Sequence, residues 1–60
     1  MVEYFVAYQA IDKTGKLNIG NIKANLVYPI SEFEDIRKIE EDVKKECGFK
    51  SVIVTNYIKL

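Results

Sequence analysis

Any chemistry in this chain would rest on one thiol, a run of carboxylates or a set of lysines, because the sequence contains no histidine. Without an imidazole there is no Ser-His-Asp or Cys-His arrangement in which a base takes the proton of a nucleophile. Cys47 is the single cysteine, so no internal disulfide can close and no thiolate metal site can be assembled. It falls on the apolar stripe of the one helix the sequence offers, which predicts a buried, inert thiol. Glu40, Glu41 and Asp42 form a compact acidic run. Acid–base work needs a pocket that drives two pKa values apart, and on a charged helix this run reads as a solvated face. Gly15, Gly20 and Gly48 are scattered, and none belongs to a phosphate-cradling loop. The sequence therefore predicts no enzyme, no cofactor and no metal.

Two binding chemistries remain. Phe5 and Tyr57 are of the type that stacks bases, and Lys23, Lys50 and Lys59 of the type that meets phosphates. A nucleic-acid module usually carries a basic excess. Here nine basic residues balance nine acidic ones, and no arginine lies on a strand-like segment. Tight binding of nucleic acid is not expected, and a module of that kind is the alternative reading. The favoured reading is contact with protein, and it depends on the elements that hold these residues.

The helix is the clearest element. Ser31 to Gly48 reads SEFEDIRKIEEDVKKECG, with Ser31 and Glu34 spaced as a capping box. Acids crowd the first turn, Lys44 and Lys45 sit in the last, and Gly48 is the left-handed residue that ends a helix. Phe33, Ile36, Ile39, Val43 and Cys47 recur at three- and four-residue steps and form one apolar stripe. Phe49 is placed to fold back onto Val43, and Glu34–Lys38, Glu40–Lys44 and Glu41–Lys45 are spaced as ion pairs along the helix.

The rest reads as strand. Residues 2–11, VEYFVAYQAI, are apolar in both alternating sets, as a central strand is. Asp12-Lys13-Thr14-Gly15 is a tight hairpin turn. In residues 16–28 the apolar phase breaks at Gly20, so a β-bulge at Gly20-Asn21 is expected, gathering Leu17, Ile19, Ile22, Ala24 and Leu26 on one face beside Tyr4, Val6, Tyr8 and Ala10. Residues 50–59 give a third strand with Val52, Val54 and Ile58 inward, which leaves Asn56 awkwardly on the same side, where a place at the sheet rim is expected for it. The fold expected is an α+β, two-layer β-β-α-β single domain spanning residues 1–60, with a three-stranded sheet of order 2-1-3 and one helix packed on one face.

That architecture leaves a second sheet face uncovered. Its expected members are Phe5, Ala7 and Gln9 on the centre strand, Lys23, Asn25 and Val27 on one side, and Ile53, Thr55 and Tyr57 on the other. With the first strand in the opposite phase, Tyr4, Val6 and Tyr8 would point outward instead. An exposed apolar patch with a polar rim marks an interaction site. Phe5, Ala7, Lys23, Asn25, Ile53, Thr55 and Tyr57 are accordingly the candidate partner-binding residues.

Size points the same way. A sixty-residue chain hides only about 60% of its unfolded surface, and ordering costs of roughly 1.5 kcal/mol per residue nearly cancel the gain. With no disulfide or metal, a partner subunit is the remaining remedy. The charge is balanced overall but unevenly placed. Residues 31–47 hold seven acids against four bases, and the remainder five lysines against two acids. No segment approaches the ~20 apolar residues of a membrane span. The start MVEYFVAYQ lacks a basic region and a cleavage pattern, so no signal peptide is expected, and a free cysteine without disulfides fits the cytoplasm. The expectation is a small non-enzymatic interaction protein that forms a homodimer, binds another protein, or does both, through the open face or edge of its sheet. Compact regulators and inhibitors encoded by phages or mobile elements are commonly of this kind.

Overall fold

The computed structural model describes all sixty residues. The chain forms β1 (Val2–Ile11), β2 (Leu17–Leu26), α1 (Phe33–Cys47) and β3 (Ser51–Lys59). The sheet order is β2-β1-β3, with β1 antiparallel to both neighbours. This is the two-layer β-β-α-β arrangement expected from the doubly apolar first strand, which takes the centre. Tyr4, Val6, Tyr8 and Ala10 of β1 are buried beneath α1, where Ile39, Val43 and Val52 complete the core. All seven buried residues belong to the layer between sheet and helix.

The hairpin is tied by one carboxylate. Asp12 Oδ1 accepts from the backbone N–H groups of Thr14 and Lys16, each at 2.9 Å, and from the Thr14 hydroxyl. Asn18 Nδ2 donates to Asp12 Oδ2 at 3.3 Å. The Gly15 N–H donates to Asp12 O across the turn at 3.0 Å, and Gly15 takes the positive φ of 88° that the turn demands.

The strand phases differ from expectation in both outer strands. No bulge occurs in β2: it pairs with β1 without interruption from Val2 opposite Leu26 to Ile11 opposite Leu17. Leu17 and Ile19 therefore lie on the uncovered face, away from Ile22, Ala24 and Leu26. Gly20 has a different reason to be glycine. It lies opposite Tyr8, and a β-carbon there would sit 2.7 Å from the Tyr8 hydroxyl, so the missing side chain is the space the tyrosine fills. The bulge is in β3 instead. Ala7 faces Asn56 and Tyr8 faces Val54, so Thr55 is the extra residue, and its hydroxyl donates to Ala7 O at 3.3 Å. Beyond it the phase inverts. Tyr57 joins the helix-covered face, its ring 5.9 Å from that of Tyr4, while Asn56 and Ile58 turn to the open face.

The helix begins one residue later than the sequence indicates. Its N-cap is Glu32, not Ser31, and the responding carboxylate is Asp35, not Glu34. Asp35 Oδ2 accepts from the N–H groups of Ser31 at 3.0 Å and Glu32 at 3.1 Å, and these bonds hold its pKa below the ordinary carboxylate value. At the other end the N–H groups of Gly48 and Phe49 both reach Lys44 O, and Phe49 turns back onto the core with its ring 6.1 Å from Tyr8. Phe49, not Cys47, closes that end of the core, and Cys47 is exposed rather than buried. None of the three expected lysine–glutamate pairs forms; the ion pairs present are Lys23–Glu3 at 2.8 Å and Arg37–Glu40 at 3.9 Å. The link from β2 to α1 is pinned from below, where the buried Tyr4 hydroxyl accepts the Ile30 N–H at 3.0 Å.

Two outcomes follow from these contacts. Gly20→Ala forces the Tyr8 ring out of its place, and we expect a loss of about 1–2 kcal/mol in urea unfolding even though alanine ordinarily improves on glycine in a strand. Asp12 has a pKa lowered from 3.8 to about 2, chiefly by the Thr14 hydroxyl and then by the Lys16 N–H. A depressed carboxylate stabilises the fold above its unfolded value, and that contribution is lost as pH falls from about 4 toward 2. A carboxyl-detected NMR titration should give the Asp12 midpoint near 2, and Asp12→Asn should remove this component of acid sensitivity.

Candidate functional site

The open face is built in cross-strand rows. From the hairpin end these are Leu17-Ile11-Ser51, Ile19-Gln9-Ile53, Asn21-Ala7-Asn56, Lys23-Phe5-Ile58 and finally Asn25-Glu3. Apolar side chains dominate the rows on either side of a narrow polar band around Ala7. Their exposure is substantial: Ile19 is 77% exposed, Ile53 62% and Phe5 37%. The only charges on the face are Lys23 and Glu3, bonded to each other, so the face is close to electrically neutral.

Of the residues expected here, Phe5, Ala7, Lys23, Asn25 and Ile53 lie on the open face together. Thr55 sits in the bulge at the margin. Tyr57 does not belong to the set, because the bulge carries it beneath the helix. Val27 lies beyond the end of β2. Leu17, Ile19 and Ile58, expected on the covered side, join Ile11 on the open face and make it more apolar than expected. The awkward Asn56 carries the signal: an amide in an otherwise apolar inward set marks the point where the strand changes phase, and it lies opposite Ala7 in the middle of the face, not at the sheet rim.

A second feature lies where α1 overhangs the free edge of β3. Phe33, Ile36, Arg37, Val52, Val54 and Tyr57 line a groove of about 410 Å³. The Arg37 guanidinium lies 5.6 Å from the centroid of the Phe33 ring, a cation–π contact at the mouth of the groove. Glu40 reaches down from the helix and its Oε2 accepts the Val54 N–H at 2.8 Å. Its side chain is 14% exposed. This carboxylate occupies the position that the carbonyl of a neighbouring strand would take, and so it closes part of the β3 edge. The acidic run is therefore not a uniform solvated face: Glu40 is engaged with the sheet, while Glu41 and Asp42 face water.

Phe5 and Tyr57 lie on opposite faces of the sheet, so they do not form one stacking platform for bases. No helix is long and apolar enough to cross a membrane. No protein-family model, curated protein or solved structure matches the chain.

The role of Glu40 is measurable. In Glu40→Ala the Val54 N–H loses its acceptor, and a hydrogen bond to a charged group contributes about 1.5–3 kcal/mol. Val54 amide exchange should accelerate at least tenfold while the amides in the β1–β2 ladder change far less. Equal protection in the variant would remove Glu40 from any role at this edge.

Proposed function

We propose that this chain is a small non-enzymatic interaction protein that self-associates through the open face of its sheet. The observation that carries the reading is the distribution of apolar surface. The helix-covered layer holds all seven buried residues, while Phe5, Leu17, Ile19, Ile53 and Ile58 stand exposed on the opposite side. Aliphatic rows of this extent on a near-neutral face favour a partner that removes them from water, at about 25 cal/mol for each Å² of apolar area. A second copy meets the requirement directly, since an isologous contact needs only one self-complementary patch.

The dimensions agree. The chain measures 35 × 17 × 17 Å, so the sheet presents a footprint of roughly 600 Å², and two such faces together bury about 1,200 Å², the lower bound for a stable interface. Association by pairing of β3 edges is less favourable, because Glu40 already takes the Val54 N–H and α1 overhangs that side.

Light scattering coupled to size exclusion tests the reading. A dimer of the 6.9 kDa chain is expected at high micromolar concentration, and Ile19→Lys should weaken it about a hundredfold, roughly 3 kcal/mol, by burying an unpaired charge. Edge pairing would survive that substitution. A monomer at the same concentration overturns the self-association reading, and salt-steep submicromolar binding to an oligonucleotide would favour the nucleic-acid alternative.

A further inference from the structure

We infer that the two-fold axis of this dimer runs along the strand direction, so that β1 lies over the partner's β1 and each β2 lies over the partner's β3. This rests on the reading that a second copy covers the open face, and it specifies which side chains meet there.

The shape of the face removes one arrangement. Sheets pack either with strands aligned or crossed near a right angle. The footprint is twice as long as it is wide, 35 by 17 Å. Crossed faces overlap only over a square of roughly 290 Å², less than half of what aligned faces share, and far below the size of a stable interface. Aligned packing leaves two orientations of the two-fold axis. With the axis along the strands, every cross-strand row meets its own copy. With the axis across the strands, the sequence of rows is reversed in the partner.

The polarity of the rows distinguishes these two. With the axis along the strands, Ile19 lies over the partner's Ile53, and Ile53 over the partner's Ile19. Asn21 lies over the partner's Asn56, so amides that both donate and accept meet one another around Ala7. Phe5 lies over the partner's Phe5. Lys23 lies over the partner's Ile58 at the rim, where its stem can cover apolar surface while the ammonium group stays in water beside Glu3. With the axis across the strands, Lys23 lies over the partner's Ile19, Gln9 over the partner's Phe5, and Glu3 over the partner's Ile11. Lys23 meets an isoleucine in both orientations, so the difference lies elsewhere. The reversed one sets the Gln9 amide against Phe5 and the Glu3 carboxylate against Ile11, which strips their water and returns no hydrogen bond. Along the strands Gln9 meets Gln9, Ile11 meets Ile11, and only the Glu3 carboxylate, in the last row, faces its like charge.

Charge-swap pairs read the orientation directly. Ile19→Lys and Ile53→Glu alone should each raise the dimer Kd about a hundredfold. In the double variant Ile19→Lys/Ile53→Glu, each introduced lysine faces an introduced glutamate of the partner, and the Kd should return to within tenfold of the original. The control Ile53→Glu/Ile58→Lys places its charges opposite one another only when the axis runs across the strands, and it should remain monomeric. All three positions are exposed in the monomer, and circular dichroism confirms that each variant is folded. Rescue by the control and not by the first pair overturns the inference in favour of the reversed orientation. Rescue by neither overturns it in favour of a contact that uses neither pairing. An original chain that is monomeric at high micromolar concentration instead removes the self-association reading on which the inference stands.

Discussion

One helix can cover only one face of a sheet, and most features of this molecule follow from that limit. The fifteen residues of α1 span about 22 Å with a diameter near 10 Å. That is enough to roof β1 and one neighbour, and Ile39 and Val43 bring their side chains down onto Tyr4, Val6, Tyr8 and Ala10. The centre strand is nevertheless apolar on both sides. Its inward set supplies four of the seven core residues; its outward set, Phe5, Ala7 and Ile11, has no counterpart within the chain. The sheet is therefore a two-sided apolar layer with a one-sided cover.

The bulge at Thr55 determines how β3 divides its side chains between the two sides. Before it, Val52 and Val54 face the helix; after it, Tyr57 does. Had the strand run on without interruption, Asn56 would lie beneath α1 and Tyr57 would stand on the open face. The inversion brings the tyrosine against Tyr4 and the groove under Phe33 and Ile36, and sends Asn56 to the centre of the open face and Ile58 to the row it shares with Phe5 and Lys23. A single inserted residue thus gives the covered layer another aromatic ring and completes the aliphatic rows on the other side. It also bends the strand where Glu40 takes the Val54 N–H, so the bulge and the carboxylate modify the same stretch of edge.

What was legible in the sequence follows the same physical lines. The helix, the Asp12 turn, the central place of the first strand and the strand order could be read because each rests on a local signal: a periodic stripe, a turn residue with its glycine, a run apolar in both phases. The phases of the outer strands could not. A break in alternation shows that something interrupts a strand, but Gly20 and Asn56 each offered a break, and only the cross-strand partner tells them apart. Gly20 is small because Tyr8 lies over it, a contact twelve residues away in sequence. Asn56 is polar because the backbone has already turned over. The helix cap illustrates a smaller version: Ser31, Glu32, Glu34 and Asp35 include two overlapping pairs that fit a capping box, and the Ile30 N–H held by the Tyr4 hydroxyl anchors the chain immediately before the pair that is used.

The covered and uncovered faces are coupled through stability. A core of seven residues stabilises a sixty-residue fold only modestly against the entropy of ordering the chain. A partner that binds the folded sheet and not the unfolded chain adds to that stability by mass action, in proportion to the logarithm of its concentration. Under the proposed association the aliphatic rows of the open face would have a thermodynamic role besides recognition, because each isoleucine removed from water at the interface would stabilise the strand that presents it. The edges work in the opposite direction. A strand edge pairs with any extended chain, whereas a face of fixed shape and row order admits few partners. Glu40 on the β3 edge makes edge pairing there less favourable without touching the rows. The association proposed above would in this way be directed to the one surface whose pattern can distinguish its own copy from another apolar sheet.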